Sequence, residues 1–288
     1  MTVFDYFHVN QPATDHALPV LVEVPHAGLA WPDAIAGGFE AKLNSIQTAA
    51  DLYMDHACRS LTKSGATVVT ALVSRMIVDF NRSADDLSLG ILKSQSKLSP
   101  TCYGVLWTQD TKGNAVRSVP MLREEFRDCL DRFYFPYHRN LEVLLAQMKR
   151  KSRQVVFLAV HSMPSYSAPK MDVVLGSLKG KSGNTELLLR CADCCKLGRL
   201  RVGFDDPYQG GFSTRAYGKP EQGMHAIQIE FSRALYMDED SLRPNEKRLE
   251  HIHLLLADLI ATAADWVGSQ IAEGASAMSE SEERTSMR

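Results

Sequence analysis

The sequence lacks the glycine-rich loops that bind nucleotide phosphates, since neither GxGxxG nor GxxxxGK[ST] occurs in its 288 residues. Such loops hold phosphates on backbone amides at a helix N-terminus, so we expect no nucleotide cofactor. A basic excess is also missing, with 32 Lys and Arg against 34 Asp and Glu and a net charge of −2. Nucleic acids and anionic membranes bind through clustered positive charge, so neither is an expected partner.

Long apolar runs, export signals and linkers are absent as well. No hydrophobic stretch approaches the roughly 20 residues that cross a bilayer, and the N-terminus MTVFDYFHVNQPATDH has no basic region followed by an apolar one. We therefore predict a cytoplasmic protein. Because no Pro/Gly/Ser-rich linker divides the chain, we predict a single domain over residues 1–273 and a polar, disordered tail over 274–288.

Cysteine usage does not indicate a disulfide framework. The six cysteines are scattered through apolar and helical surroundings rather than spaced as in small secreted proteins. Cys191, Cys194 and Cys195 form a cluster, but no second cysteine pair completes a zinc knuckle. We predict that the cysteines pack in the core, and the sequence assigns the cluster no further role.

The hydrophobic pattern predicts an α/β fold with three layers, in which helices flank a mixed, largely parallel sheet. Apolar β-branched runs predict strands at about 19–24, 66–73, 155–160, 172–176, 201–204 and 226–231, with a short extended piece at 76–80. Helical spacing predicts helices at about 39–61, 121–151, 184–197 and 241–267. Residues 1–17 are predicted to be irregular, and 83–118 and 205–223 to be long loops around a site.

Two histidines stand at the ends of two of these strands. In LPVLVEVPHAGLAW, residues 18–31, the apolar run ends at Pro25 and His26 follows; the run 155–160 ends in the same way at His161. In open α/β sheets, ligands bind beyond the carboxyl ends of the strands. The two side chains are candidates for nitrogen ligands or acid/base groups. Either one alone could instead be a hydrogen-bonded loop histidine, but the repetition favours a site.

A catalytic zinc site with two histidines needs a third protein ligand, commonly a carboxylate. Asp51 and Asp55 lie four residues apart on one face of the predicted helix 39–61, so either could turn toward the sheet, or both could decorate a solvated face. Glu230 lies inside the strand AIQIEFS. A partly desolvated carboxylate there would have a raised pKa and would suit a general base; the alternative is an exposed strand face.

Anion-binding candidates follow the third predicted extended segment. Asn81 and Arg82 combine an amide with a two-pronged cation, a pair suited to clamping a carboxylate, and Asp79 would orient or pair with one of the local arginines. Arg215 and His138 are further candidates for substrate contacts. Each of these two could equally be a structural partner.

Five segments together resemble the N-formylglutamate amidohydrolase family. They are PHAG at 25–28, SRMIVDFNR at 74–82, PYH at 136–138, HSM at 161–163 and GKPEQGMHAIQIEFSRALYMDE at 218–239. The resemblance implies a fold similar to the zinc carboxypeptidases and the succinylglutamate desuccinylase/aspartoacylase group, with one zinc at the sheet end. It also implies hydrolysis of N-formyl-L-glutamate to formate and L-glutamate, a step of histidine degradation.

By the same resemblance, His26 and His161 are expected to bind one Zn²⁺ per chain, with another divalent metal as an alternative. Carboxypeptidases take two ligands from an HxxE motif, but Leu29 stands three residues after His26. The third ligand must therefore come from elsewhere. We predict Asp51 as that ligand, with Asp55 as the second choice.

The resemblance further implies that Glu230 is the general base, that Asn81 and Arg82 bind a carboxylate, and that Arg215 reaches the second carboxylate of a glutamyl substrate. The expected partner is thus a small anionic N-acyl amino acid. Two rival functions remain, namely hydrolysis of another N-acyl amino acid and metal-free binding of an anionic amino acid by a pseudoenzyme. No oligomeric state is predicted.

Overall fold

A computed structural model describes residues 2–3, 6–32, 38–93 and 101–286, with side chains described over 6–32, 38–93 and 101–272. Eight strands form the main sheet, and two short strands pair beside it. They are β1 (Thr2–Val3), β2 (Phe7–Asn10), β3 (Val20–Val24), β4 (Thr67–Ala71), β5 (Val155–Met163), β6 (Val173–Gly176), β7 (Val202–Phe204), β8 (Met224–Ser232), β9 (Met237–Asp238) and β10 (Arg243–Pro244).

Along the described part of the chain, the α-helices lie between the strands, except for the last one, which follows β10. They are α1 (Leu43–Ala49), α2 (Met54–Cys58), α3 (Arg123–Cys129), α4 (Phe135–Lys151), α5 (Thr185–Leu197), α6 (Phe212–Tyr217) and α7 (Glu246–Ser286). A π-helical turn, Leu130–Tyr134, joins α3 to α4. Asn184 caps α5, because its side-chain oxygen accepts hydrogen bonds from the first turn.

The main sheet has the order β1-β2-β4-β3-β5-β8-β6-β7. Its four central strands, β4, β3, β5 and β8, are mutually parallel, while β2 and β6 run antiparallel to their neighbours β4 and β8. The predicted mixed, largely parallel sheet is therefore confirmed. Because β3, β5 and β8 are adjacent and parallel, their carboxyl ends meet at one edge, and the register places His161 opposite Glu230.

Both faces of the sheet are covered, which explains the continuous apolar runs of its strands. On one face, Val22 and Leu158 pack with Trp266 of α7 in one apolar cluster. On the other face, Leu21 and Phe157 belong to a second cluster that includes side chains of α4 and of the irregular segment after β4. Helices on one side and helices with loop structure on the other form the predicted three layers.

The segment Glu246–Ala272 of α7 is long and apolar enough to cross a membrane by length and composition, with a mean hydropathy of 1.3 in its best window. This finding contradicts the expectation that no segment reaches that measure. The apolar side of the helix packs in the core, where Leu256, Leu259, Ile260 and Trp266 are fully buried. Core packing thus accounts for its hydropathy.

The six cysteines are free thiols, and four of them are buried. Cys191 and Cys195 pack in the same cluster as α7, and Cys194 lies against that cluster. These placements agree with the predicted packing role.

Several predicted elements are wrong. Residues 7–10 are strand β2 rather than an irregular lead-in, because Phe7 and Val9 alternate into the core. The predicted helix 39–61 is two short helices interrupted at 50–53, and residues 76–80 form turns rather than an extended piece. The backbone of α7 continues to Ser286, into the segment predicted as a disordered tail. The division into one domain and a tail remains a prediction.

Candidate metal centre

Three buried side chains meet at the carboxyl edge of the sheet. His26 follows β3, His161 lies on β5, and Asp51 lies in the interruption between α1 and α2. Their nearest ligand atoms all lie within 4.8 Å of one another, and none of the three residues is more than 2% exposed. Asp51 Oδ2 is 3.6 Å from His26 Nδ1 and 3.1 Å from His161 Nδ1. The structure thus brings together the three residues predicted as ligands.

The interruption of the helix explains how Asp51 reaches this position. Its backbone N–H donates a hydrogen bond to the His26 carbonyl oxygen at 2.9 Å, which ties the connecting segment to the end of β3. Tyr53 has a positive φ of 67°, so the chain cannot continue as a regular helix through this point. Asp55, the second choice for the third ligand, lies on α2 with its side chain 39% exposed, and it pairs with His56 instead. The structure therefore does not bring Asp55 to the cluster.

The outer nitrogen of each histidine has its own polar partner. His26 Nε2 is 2.7 Å from Asp79 Oδ1, and Arg75 donates two hydrogen bonds to Asp79 Oδ2 at 3.1 and 2.8 Å. His161 Nε2 lies 3.2 Å from the side-chain nitrogen of Asn81. Such partners fix the ring orientation of metal-binding histidines. Each ring therefore presents its Nδ1 atom to Asp51.

The cluster fits a divalent metal ion. His26 Nδ1 is buried without a hydrogen-bond partner, a costly arrangement that coordination would relieve. Burial acts to raise the pKa of Asp51, but the hydrogen bond with His161 and the charge interactions with His161 and His26 hold that pKa well below its usual value. An ionised carboxylate with two imidazoles is a ligand set that catalytic zinc and other first-row metals accept, with a position left for water.

Glu230 lies beside this cluster, on the neighbouring strand β8. It is 5% exposed, and its Oε1 accepts a hydrogen bond from Gln228 Nε2 at 2.8 Å. Burial raises the pKa of Glu230 to about 7, against the opposing effect of His161. A carboxylate poised near neutral pH is suited to accept a proton and return it.

A cavity of about 1030 Å³ opens over the cluster and Glu230. Side chains from the two predicted loops line it, among them Tyr103 and Trp107 of the first and Tyr208 of the second. No regular helix or strand occurs in the described part of 83–118, as predicted, whereas 205–223 contains α6.

Four arginines line this cavity, and they differ in how they are engaged: Arg75, Arg82, Arg215 and Arg233. Arg75 is paired with Asp79, and Arg233 is buried and donates to backbone carbonyls. Arg82 is 41% exposed and has a long contact of 3.5 Å with Asp86, and Arg215 is exposed. Arg82 and Arg215 are therefore the cations that can turn to an anionic ligand.

His138 and Asn81, two candidates for substrate contacts, are both engaged by neighbouring side chains. His138 is buried, its Nδ1 lies 2.7 Å from the Tyr217 hydroxyl, and it is not among the described residues that line the cavity. Asn81 does line the cavity, but Ser213 N–H donates to its oxygen, while its nitrogen contacts His161 and donates to Gln228. This geometry supports His161 rather than leaving the amide free for a ligand.

The sequence reasoning missed the roles of Arg233 and Gln228, and it paired Asp79 with a local arginine without identifying that arginine as Arg75. Gln228 and Glu230 alternate onto the same face of β8, so the pattern that indicated Glu230 also contained a signal for Gln228. Arg75 lies four residues before Asp79, a spacing typical of ion pairs within a turn of helix-like backbone. No local signal connects Arg233 with Asp51, because 182 residues separate them.

Residues 18–237 match the sequence profile of the N-formylglutamate amidohydrolase family. The chain belongs to this family. It is 28% identical to the N-formylglutamate deformylase of Pseudomonas aeruginosa over 78% of this chain and 84% of the relative. It is 26% identical to the N-formylglutamate deformylase of Pseudomonas putida over 86% and 93%, respectively. These matches confirm the family resemblance inferred from the sequence motifs.

Solved structures share the fold of this N-formylglutamate amidohydrolase family member. The N-formylglutamate amidohydrolase from Ralstonia eutropha JMP134 superposes with a TM-score of 0.84, at 23% identity, over 93% of this chain and all (100%) of the other. A gene product of Agrobacterium tumefaciens gives a TM-score of 0.68, at 19% identity, over 91% and 96%. At these identities, the likeness establishes the fold alone.

Proposed function

We propose that this protein hydrolyses the formyl amide of N-formyl-L-glutamate and releases formate and L-glutamate. Family membership supports the reaction class, since the curated relatives are N-formylglutamate deformylases. The observation that carries the proposal is the buried cluster of His26, Asp51 and His161 next to Glu230, in a cavity whose rim has two exposed arginines. These are the components of a metal-dependent amide hydrolase for an anionic substrate.

The proposed metal is one zinc ion per chain, held by His26, Asp51 and His161. When bound, zinc supplies Lewis acidity to the formyl carbonyl and lowers the pKa of a water molecule. Glu230 takes a proton from the attacking water as its oxygen bonds to the formyl carbon. Glu230 then returns that proton to the amide nitrogen as the C–N bond breaks, so formate and the free amine of glutamate leave.

Recognition of the substrate is assigned to the exposed cations of the cavity. N-formyl-L-glutamate has two carboxylates, and Arg82 and Arg215 are two guanidinium groups that can each form paired hydrogen bonds with one of them. Asn81 contributes by supporting His161. His138 has no direct role in this proposal because it is buried against Tyr217 of α6 and does not line the cavity.

The proposal includes a cytoplasmic location and a role in histidine degradation. Free thiols on all six cysteines are compatible with a reducing compartment. A second candidate, hydrolysis of a larger N-acyl glutamate, is favoured by one observation: a cavity of about 1030 Å³ is roomy for so small a molecule as N-formylglutamate.

Release of formate or another acid from a panel of substrates tests these functions. The panel consists of N-formyl derivatives of glutamate, aspartate and glutamine, together with N-acetyl- and N-succinylglutamate, each measured with and without a chelator. We expect the highest kcat/KM for N-formylglutamate, about one zinc per chain, and loss of activity with the metal. A preference for N-succinylglutamate would favour the second candidate. Metal-free protein that binds N-formylglutamate without turnover would overturn both and favour a pseudoenzyme.

A further inference from the structure

Two side chains that are hydrogen-bonded to each other, Ser162 and Arg233, contact the carboxylate of Asp51. The Ser162 hydroxyl donates to Asp51 Oδ1 at 3.1 Å, and Arg233 Nη2 lies 3.4 Å from the same oxygen. Arg233 Nε also donates to the Ser162 hydroxyl oxygen at 3.2 Å. Both polar partners therefore act on Oδ1, and Oδ2 is left facing the two histidine Nδ1 atoms.

The same guanidinium fixes the backbone that bears Asp51. Arg233 Nη1 donates to the Thr48 carbonyl oxygen and Nη2 to the Ala50 carbonyl oxygen, both at 2.8 Å. These carbonyls lie at the carboxyl end of α1, where a helix leaves its last carbonyl groups without internal partners and favours a cation. Asp51 follows directly in the irregular link between α1 and α2, whose position helical hydrogen bonds do not determine.

Arg233 and Ser162 also connect this link to the sheet. Ser162 lies on β5 next to His161, and Arg233 follows the last residue of β8. Arg233 is 7% exposed and Ser162 5% exposed, so water competes little for these contacts. One planar group thus joins the ends of two strands to the end of a helix. Lysine cannot reproduce this arrangement, because its single ammonium lacks the fork of donors.

We propose that Arg233 and Ser162 are positioning residues that aim Oδ2 of Asp51 at the metal. This inference rests on the proposed metal centre and extends it beyond the three ligands. Residues that orient ligands commonly change metal affinity about 10- to 100-fold when replaced. The charge of Arg233 acts in the opposite direction, because a cation repels a metal ion. If Arg233 acts by positioning Asp51, loss of the guanidinium lowers the metal affinity. If it acts only through its charge, loss of the guanidinium raises the metal affinity.

The test measures the affinity of the metal-free protein for Zn²⁺ alone, by competition with a chromogenic chelator. We expect Arg233→Lys, which keeps the charge, and Ser162→Ala to weaken zinc binding about 10- to 100-fold. Ser162→Thr, which retains the hydroxyl, should bind within about threefold of the original protein. The matched control is Arg201→Lys, because Arg201 forms a comparable two-bond pair with Asp172 at an exposed position.

Thermal unfolding of the metal-free variants separates positioning from a general loss of stability. A purely structural role would lower the melting temperature while the folded protein kept its zinc affinity, and that result would overturn the inference. Should Arg233→Lys fail to fold, Ser162→Ala decides alone, since it removes a single hydroxyl. Failure of the original protein to bind zinc, cobalt or manganese would overturn the metal centre, and this inference with it.

Discussion

The floor and the rim of the cavity differ in burial and in how firmly neighbouring residues hold their polar side chains. On the floor, His26, Asp51 and His161 are buried, and each has at least two polar contacts with neighbouring residues that hold it in place. On the rim, Arg215 is exposed, the Arg82 side chain is 41% exposed, and the contact of Arg82 with Asp86 is long. A site in which the reacting groups are prearranged needs little reorganisation during the reaction. Cations on the rim stay available for a substrate. We therefore expect the chemistry at the carboxyl edge of the sheet and substrate recognition at the rim, where Arg215 lies on α6 and Arg82 in the segment after β4.

The largest expected effect follows from replacing Asp51 on the floor, with Asp55 as a control four residues away. Asp51→Asn should abolish tight metal binding and lower kcat/KM about a thousandfold or more, because metal polarisation contributes several kcal/mol. The kcat/KM of Asp55→Asn should stay within about twofold of that of the original protein. The Asp55 side chain is 39% exposed, and the ion pair that it forms is with His56. Metal analysis and formate release measure both. Equal losses in the two variants would refute the assignment of the third ligand.

Glu230 provides the next test of the floor. Glu230→Gln should keep its metal but lower turnover roughly 10²- to 10⁴-fold, because the amide cannot accept and return a proton. Glu239→Gln is the control, since Glu239 also lines the cavity but accepts a hydrogen bond from the Ser165 backbone instead. Turnover of Glu230→Gln near that of the original protein would contradict its role as the base.

Replacing the arginines of the rim should have a smaller effect that depends on the substrate. Arg82→Ala and Arg215→Ala should each lower kcat/KM for N-formylglutamate about 10- to 100-fold, because a charge-assisted hydrogen bond is lost. The loss should appear mainly in KM. For N-formylglutamine, whose side chain is neutral, the arginine that binds the side-chain carboxylate should matter little. Equal losses with both substrates for both variants would overturn the division between floor and rim.

The sequence predicted the floor better than its surroundings, for a physical reason. A strand that ends in histidine is a local pattern, and parallel strands bring such ends together, so His26 and His161 could be placed from the sequence. The break in the helix before Tyr53 could not be predicted, because the apolar spacing continues through residues 39–61. At this point the hydrogen bond from the Asp51 N–H to the His26 carbonyl determines the path of the chain. Tertiary contacts overrode local periodicity there.

His138 shows the converse limit. The motif PYH left open whether His138 contacts the substrate or is a structural partner, and the side chain is buried with its Nδ1 atom 2.7 Å from the Tyr217 hydroxyl. A π-helical turn, Leu130–Tyr134, precedes α4, and such a turn inserts one residue and rotates the face of the following helix. The direction of a side chain after such a turn depends on whether the backbone forms a π-type or an α-type hydrogen bond there. The spacing of apolar residues in the sequence does not show which of the two forms. Arg233 was missed because its partners are distant in sequence.

A second buried carboxylate, Glu23, can be compared with Glu230, because it lies in the core rather than in the cavity. Glu23 on β3 is fully buried, and its Oε1 accepts hydrogen bonds from the hydroxyls of Tyr137 and Ser213, both at 3.0 Å. Its Oε2 has no hydrogen-bond partner. Burial raises the pKa of Glu23 to about 7, the same value as for Glu230, although Glu23 does not line the cavity. A raised pKa alone therefore does not identify a catalytic group.

Glu23→Gln should have the smallest effect on turnover and a measurable effect on stability. The folded protein binds the Glu23 proton more tightly than the unfolded chain, so this group makes stability fall as the pH rises from about 4.5 to about 7. Glutamine mimics the neutral acid and removes that dependence. We expect urea unfolding of the metal-free proteins to show this. The free energy of unfolding of the variant, minus that of the original protein, should increase by on the order of 2 to 3 kcal/mol from pH 5 to pH 8. The activity should stay within about threefold, because the hydrogen bonds of Glu23 are to Tyr137 and Ser213, which have no assigned role in the reaction. A stability difference that does not change with pH would show that Glu23 is ionised in the folded protein, and a large loss of turnover would extend the catalytic floor into the core.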